Sequence, residues 1–142
     1  MNCMRKRKLI LNNEVEDTVY GLVSSLKDYK LAWKINQLFK IELVRKPELK
    51  ISFVIGSDIE VTNYEYRTEI VCLRLIKNRG LDSTVSYLIP ELSKFDYFIL
   101  IDEQDVFMDH SLFLNMLKVV EGIDYALSVD TDKLKSKDNF IF

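Results

Sequence analysis

Apolar residues recur along this chain with two periods, one near 3.6 and one of 2, and the switches between them predict its elements. Leu31, Ile35, Leu38 and Phe39 are spaced i, i+4, i+7, i+8, which lines one face of a helix, while Lys30, Lys34 and Gln37 turn outward. Just ahead of them, Ser25-Leu26-Lys27-Asp28 has the spacing of a capping box, in which a serine oxygen and a carboxylate accept hydrogen bonds from N–H groups that the helix leaves free. Phe113, Met116, Leu117 and Val120 form a second stripe; Asp109 or Ser111 suits its start and Gly122 its stop.

The remaining apolar segments alternate. Lys8 to Leu11 reads as a short edge strand, Asn12 to Asp17 as a polar, acidic turn, and Val19 to Val23 as the strand that opens the sheet. Pro47 ends any helical continuation and separates the first helix from a strand over Ile51 to Ile55, which Gly56 follows. From Tyr64 to Ile76, Ile70, Cys72 and Ile76 face one way and Val71, Leu73 and Leu75 the other, so this strand is apolar on both sides and belongs in the middle of the sheet. Asn78-Arg79-Gly80 turns the chain into a strand over Ser83 to Ile89, which Pro90 stops. Tyr97 to Ile101 and Tyr125 to Val129 complete the set, with Asp102-Glu103-Gln104-Asp105 as exposed loop. Two helices interleaved with about five to six strands predict an α+β fold: a two-layer sandwich, mostly antiparallel, with both helices on one face.

Composition narrows this without changing it. The 142 residues fit one domain. The longest purely apolar run, Tyr97 to Ile101, is far short of the ~20 residues that cross a bilayer as a helix, so no membrane segment is expected. Three apolar residues after the basic start fall short of the ~7–15 that an export signal needs. Cys3 and Cys72 lie far apart and form no Cys-x-x-Cys pair, so neither a disulfide framework nor a zinc knuckle is expected, and the cytoplasm is the simpler location. The net charge is −2, and setting aside the four cations Arg5-Lys6-Arg7-Lys8 leaves −6. Residues 1–8 thus form a basic arm on an acidic body, which repels phosphates over most of its surface.

Ile89-Pro90-Glu91-Leu92-Ser93-Lys94-Phe95-Asp96-Tyr97 resembles the motif that names the bacterial IPExxxVDY family, with Phe95 where that pattern has valine. Leu26-Lys27-Asp28-Tyr29-Lys30-Leu31, Asn78-Arg79 and the tail Leu134-Lys135-Ser136-Lys137-Asp138-Asn139 are similar to the same family, so the likeness runs over nearly the whole chain. It implies a small bacterial protein and transfers no activity, cofactor or catalytic residue. The motif itself reads as a crossover: Pro90 ends one strand, Glu91 to Lys94 make a single turn and Asp96-Tyr97 begin the next strand. Glu91 and Asp96 are expected to accept hydrogen bonds from loop backbone or to pair with Arg67 or Arg79; the alternative is a ligand or partner site. Pro90, Glu91, Asp96, Tyr97, Asp28, Tyr29, Asn78 and Arg79 are therefore the candidate residues.

Reactive groups are scarce. His110 is the one histidine, so Ser-His-Asp and Cys-His arrangements both depend on it, and neither cysteine has an activating neighbour. Gly21, Gly56, Gly80 and Gly122 are too dispersed for a phosphate-binding loop. Asp102, Glu103, Asp105 and Asp109 follow a strand, where α/β enzymes often place metal ligands, but acidic residues ahead of a helix also suit its dipole, and a helix-capping loop is the plainer expectation. The basic arm with Lys27, Lys30 and Lys34, interleaved with Tyr29 and Trp33, suits RNA, unless those aromatics extend the buried stripe. No catalytic residue, cofactor or metal site is expected. The leading expectation is a non-enzymatic protein-interaction or regulatory module with an unidentified protein partner; the alternatives are an RNA-associated protein using arm and first helix, and a metal-assisted enzyme on the Asp102–Asp109 loop.

Overall fold

Six antiparallel strands form one sheet in the order β2-β3-β4-β5-β1-β6, with two helices packed on one face, in the computed structural model, which describes residues 18–51, 58–81, 87–103 and 109–140. Its elements are β1 (Thr18–Ser24), α1 (Asp28–Phe39), β2 (Val44–Ile51), β3 (Ile59–Arg67), β4 (Val71–Lys77), β5 (Tyr97–Glu103), α2 (His110–Lys118) and β6 (Ile123–Ser128). This is the α+β arrangement that the mixed periodicity predicts. No helix among the described residues is long and apolar enough to cross a membrane.

Both stripes bury their central residues, while Leu38 and Met116 stay half-buried at the margin. Leu31, Ala32 and Ile35 of α1 and Phe113 and Leu117 of α2 bury against Tyr20, Leu22, Leu73, Leu75, Tyr97 and Ile99 of the sheet. Asp109 caps α2 by accepting from Leu112 N at 3.1 Å, and Gly122 ends the following turn at φ +101°, a conformation that costs a Cβ-bearing residue strain. The capping box at α1 does not form: Lys27 holds the cap position, Ser24 Oγ accepts from Leu26 N, and Asp28 accepts from the Tyr64 hydroxyl instead.

The strands depart from expectation in four places. β2 starts at Val44 and passes through Pro47, because it is an edge strand whose register shifts between Lys46 and Leu49, so the missing N–H leaves no ladder bond broken; 52–57 lie outside the described residues. The span from Tyr64 to Ile76 is the heart of a hairpin rather than one strand. Thr68 makes the turn, its Oγ1 accepting from the N–H groups of Ile70 and Val71 while its own N–H donates to Val71 O. β4 is nevertheless central, buried from Val71 through Ile76. The strand expected over Ser83 to Ile89 is reduced, where described, to a single bridge between Arg79 and Tyr87. Finally, β5 continues through Asp102 and Glu103, which are strand and not loop. The segments Lys8–Leu11 and Asn12–Asp17 lie outside the described residues.

A second core occupies the other face. Val19, Val61, Ile76, Phe98 and Leu100 are covered there by Leu88, Ile89, Phe95 and the C-terminal Phe140, so irregular chain does for this face what the helices do for the first.

Candidate functional site

Most of the residues flagged in the sequence gather around the end of β4; Tyr29 does not, standing exposed on α1. Asn78, fully buried, is the hub: its Nδ2 donates to Leu92 O (3.0 Å) and Phe95 O (2.9 Å), its Oδ1 accepts from Ile89 N (2.9 Å), its backbone N–H donates to Asp96 O and its carbonyl accepts from Leu88 N. Every polar group of the side chain and backbone is thereby matched to loop backbone, which a buried carboxamide requires. This grip explains why 88–89 do not join the sheet. Pro90 opens a 3-10 turn, Pro90–Leu92, where its absent N–H costs nothing.

Neither motif carboxylate makes the ion pairs considered for it; each instead accepts from backbone. Asp96 Oδ2 accepts from Ser24 N at 2.8 Å, and Asp96 N donates to Leu22 O. Glu91 accepts from Ser136 N (2.8 Å) and Ser136 Oγ (2.7 Å), and Asn139 Nδ2 donates to Leu88 O, so the tail is fastened over the motif. Burial pushes the Glu91 carboxyl up, but the hydrogen bonds from Ser136 outweigh it and hold the group below its ordinary range. Tyr97 donates to Leu26 O at 2.7 Å, and burial, then the nearby Asp28 and Asp96 carboxylates and Tyr64, raise its phenol far above normal. The guanidinium of Arg79 lies 6.0 Å from the Tyr87 ring centre.

A polar cleft of about 400 Å³ lies among these groups, lined in part by Lys27, Asp28, Lys77, Arg79, Asp96 and Tyr97. Its carboxylates and the Tyr97 hydroxyl are already committed to hydrogen bonds, and its lining offers no imidazole or thiol. A larger, apolar hollow of about 510 Å³ between Phe39, Tyr66, Ile70 and Phe113 likewise offers no imidazole, thiol or amine.

His110 stands elsewhere, at the start of α2. Its Nδ1 meets the Tyr20 hydroxyl at 2.9 Å and its Nε2 meets Glu103 Oε1 at 2.5 Å, a chain that ties the helix to β1 and β5. Burial, then the Glu103 carboxylate, raises the Tyr20 phenol, the opposite of what an activated nucleophile needs. The acidic stretch is divided: Glu103 serves His110, Asp109 serves the helix cap, and Asp105 lies outside the described residues. Among the described residues, no three His, Cys, Asp or Glu side chains gather as metal ligands. Cys72 corrects an expectation: it is disulfide-bonded rather than a free thiol.

Two polar arrangements escaped sequence reading. One is the Tyr20–His110–Glu103 chain, whose members are up to 90 residues apart and share no motif. The other is Glu65, which takes Arg67 Nη2 at 2.8 Å and the buried Arg74 Nη2 at 3.3 Å. Arg74 between Leu73 and Leu75 was the available signal, since a cation inside an apolar strand needs a buried partner.

The outer face of α1 is the remaining feature. Tyr29 and Trp33 are 61% and 57% exposed, one turn apart, so they do not extend the buried stripe. Lys30 and Gln37 share this face, and Lys27 and Lys40 stand exposed at the two helix ends. Lys34 is instead anchored, donating to Glu121 O at 2.8 Å. No family model matches the chain, and no curated protein matches it.

Proposed function

We propose that the chain is a bacterial protein of the IPExxxVDY kind that works through contacts rather than covalent chemistry, and that an acidic protein partner docks on the outer face of α1. The observation that carries this reading is the exposed pair Tyr29 and Trp33 flanked by Lys27 and Lys30. Aromatic residues with a polar handle are the side chains that most often dominate binding energy, and covering a large apolar side chain returns about 1.5–3 kcal/mol. Lysines beside them favour negative charge on the partner and speed its approach. Asn78, Glu91, Asp96 and Tyr97 are engaged in holding loop, tail and sheet together. The disulfide at Cys72 speaks against the cytoplasm expected from the sequence, because thiols there are kept reduced.

The same pair supports a second reading, in which RNA bases stack on Tyr29 and Trp33 while lysines meet phosphates. Immobilised wild-type protein and the double variant Tyr29→Ala/Trp33→Ala, exposed to native extract with and without nuclease, separate the two. The protein reading expects an acidic partner that the wild type retains, the variant loses and nuclease leaves in place, with folding stability of the variant within about 0.5 kcal/mol. Retention abolished by nuclease transfers the face to RNA. Equal recovery by both proteins contradicts both readings.

A further inference from the structure

The two edges of the sheet are treated differently by the sequence. Edge strands present unpaired backbone N–H and C=O groups and are normally blunted by proline, lysine or a bulge. β2 has all three: Pro47, exposed Lys46 and Lys50, and a register shift between Lys46 and Leu49. β6 carries no proline and no lysine, though its register against β1 shifts at Asp124, between the Val23–Tyr125 and Ser24–Ile123 pairs, and among the described residues it pairs only with β1. Its exposed residues include Tyr125 (65%) and Leu127 (43%), which lie opposite Val23 and Gly21 of β1. Alternation from Leu22 and Ala126, which belong to the core under the helices, puts Tyr125 and Leu127 together on the opposite face.

The order of residues on this edge is self-complementary. About Ala126 the chain reads Tyr125 and Leu127 at one step, then Asp124 and Ser128 at two. We propose that β6 pairs with β6 of a second copy, antiparallel about Ala126, joining two six-stranded sheets into one. In this register Tyr125 faces Leu127 of the second copy, an aromatic–aliphatic cross-strand pair made twice by the two-fold axis. Asp124, the extra residue at the register shift, ends the regular ladder on each side. The two Asp124 carboxylates are four residues apart along the ladder, about 13 Å, beyond the ~8 Å screening length at physiological salt. The pairing satisfies the open backbone groups, covers both exposed apolar side chains and sets no like charges opposite each other. It is independent of the face on α1.

Analytical ultracentrifugation of the intact protein tests this across a concentration series to several hundred micromolar. The expected result is a reversible monomer–dimer equilibrium whose dissociation constant rises at least tenfold in Tyr125→Lys/Leu127→Lys, both substitutions being at exposed positions. Register is read separately, at the regular part of the ladder: Tyr125→Cys protein mixed with Leu127→Cys protein should form a disulfide-linked heterodimer on mild oxidation, and neither alone should do so comparably. Wild-type protein that stays monomeric throughout overturns the proposal. So does a dimer unweakened by the double lysine variant, or cross-linking as efficient within each cysteine variant as in the mixture.

Discussion

At Glu91 a carboxylate standing largely in water fastens the C-terminal segment by accepting twice from Ser136, 45 residues away. Hydrogen bonds to a charged acceptor contribute about 1.5–3 kcal/mol when buried, and solvent screening here reduces that to about 1 kcal/mol. The folded-state pKa lies below the ordinary 4.5, so the group stabilises the fold fully above that value and the stabilisation is lost as pH falls through the folded-state pKa. Glu91→Gln is therefore expected to cost about 1 kcal/mol at pH 7, to lower amide-exchange protection over 131–140, and to flatten the loss of stability below pH 4.5. Denaturant unfolding at pH 7 and pH 4 checks it; equal stability and an unchanged acid limb would remove Glu91 from the architecture. The identity of such residues was legible from the motif. Their roles were not, because the partners, Ser136 for Glu91 and Ser24 for Asp96, are distant in sequence and carry no signal of their own.

Between elements, β1 fits closely against the loop that precedes β5. A Cβ at Gly21 would sit 2.7–2.8 Å from the Phe95 ring, which is buried and has nowhere to retreat. Gly21→Ala should cost about 1–3 kcal/mol by overpacking. Phe95→Val removes the obstructing ring and leaves space of its own. The double variant is accordingly expected to be at least about 1 kcal/mol more stable than the sum of the two effects. Thermal or denaturant unfolding of all four proteins measures this coupling, and additivity within about 0.5 kcal/mol contradicts the contact. Helices were the legible elements, since a stripe of period 3.6 over two or three turns has few competing interpretations. Strand limits were obscured because Pro47 sits where an edge tolerates it and Thr68 turns the chain without glycine or proline, so neither residue marked its boundary in the usual sense.

Across the described residues, the polar side chains of the motif are turned to backbone and one aromatic pair is left outward. Asn78, Asp96 and Tyr97 hold the loop between β4 and β5 to the sheet, and the His110 chain fastens α2, while Tyr29 and Trp33 on α1 remain in water. The body is acidic, yet this one helix face is lined with lysine, so its charge contrasts with its surroundings rather than repeating them. Asp28, Arg79, Asp96 and Tyr97 of the flagged residues line the cleft, while Asn78 and Glu91 do not; the exposure of the aromatic pair was not legible, since Tyr29 and Trp33 also satisfy the spacing of a buried stripe. The most direct test of the contact reading places a photo-cross-linking amino acid at Trp33 on α1 and, as control, at exposed Lys50 on β2, in living cells. Our account predicts a discrete protein adduct from position 33 and none from position 50; no adduct at 33, or the same adducts from both positions, would contradict it.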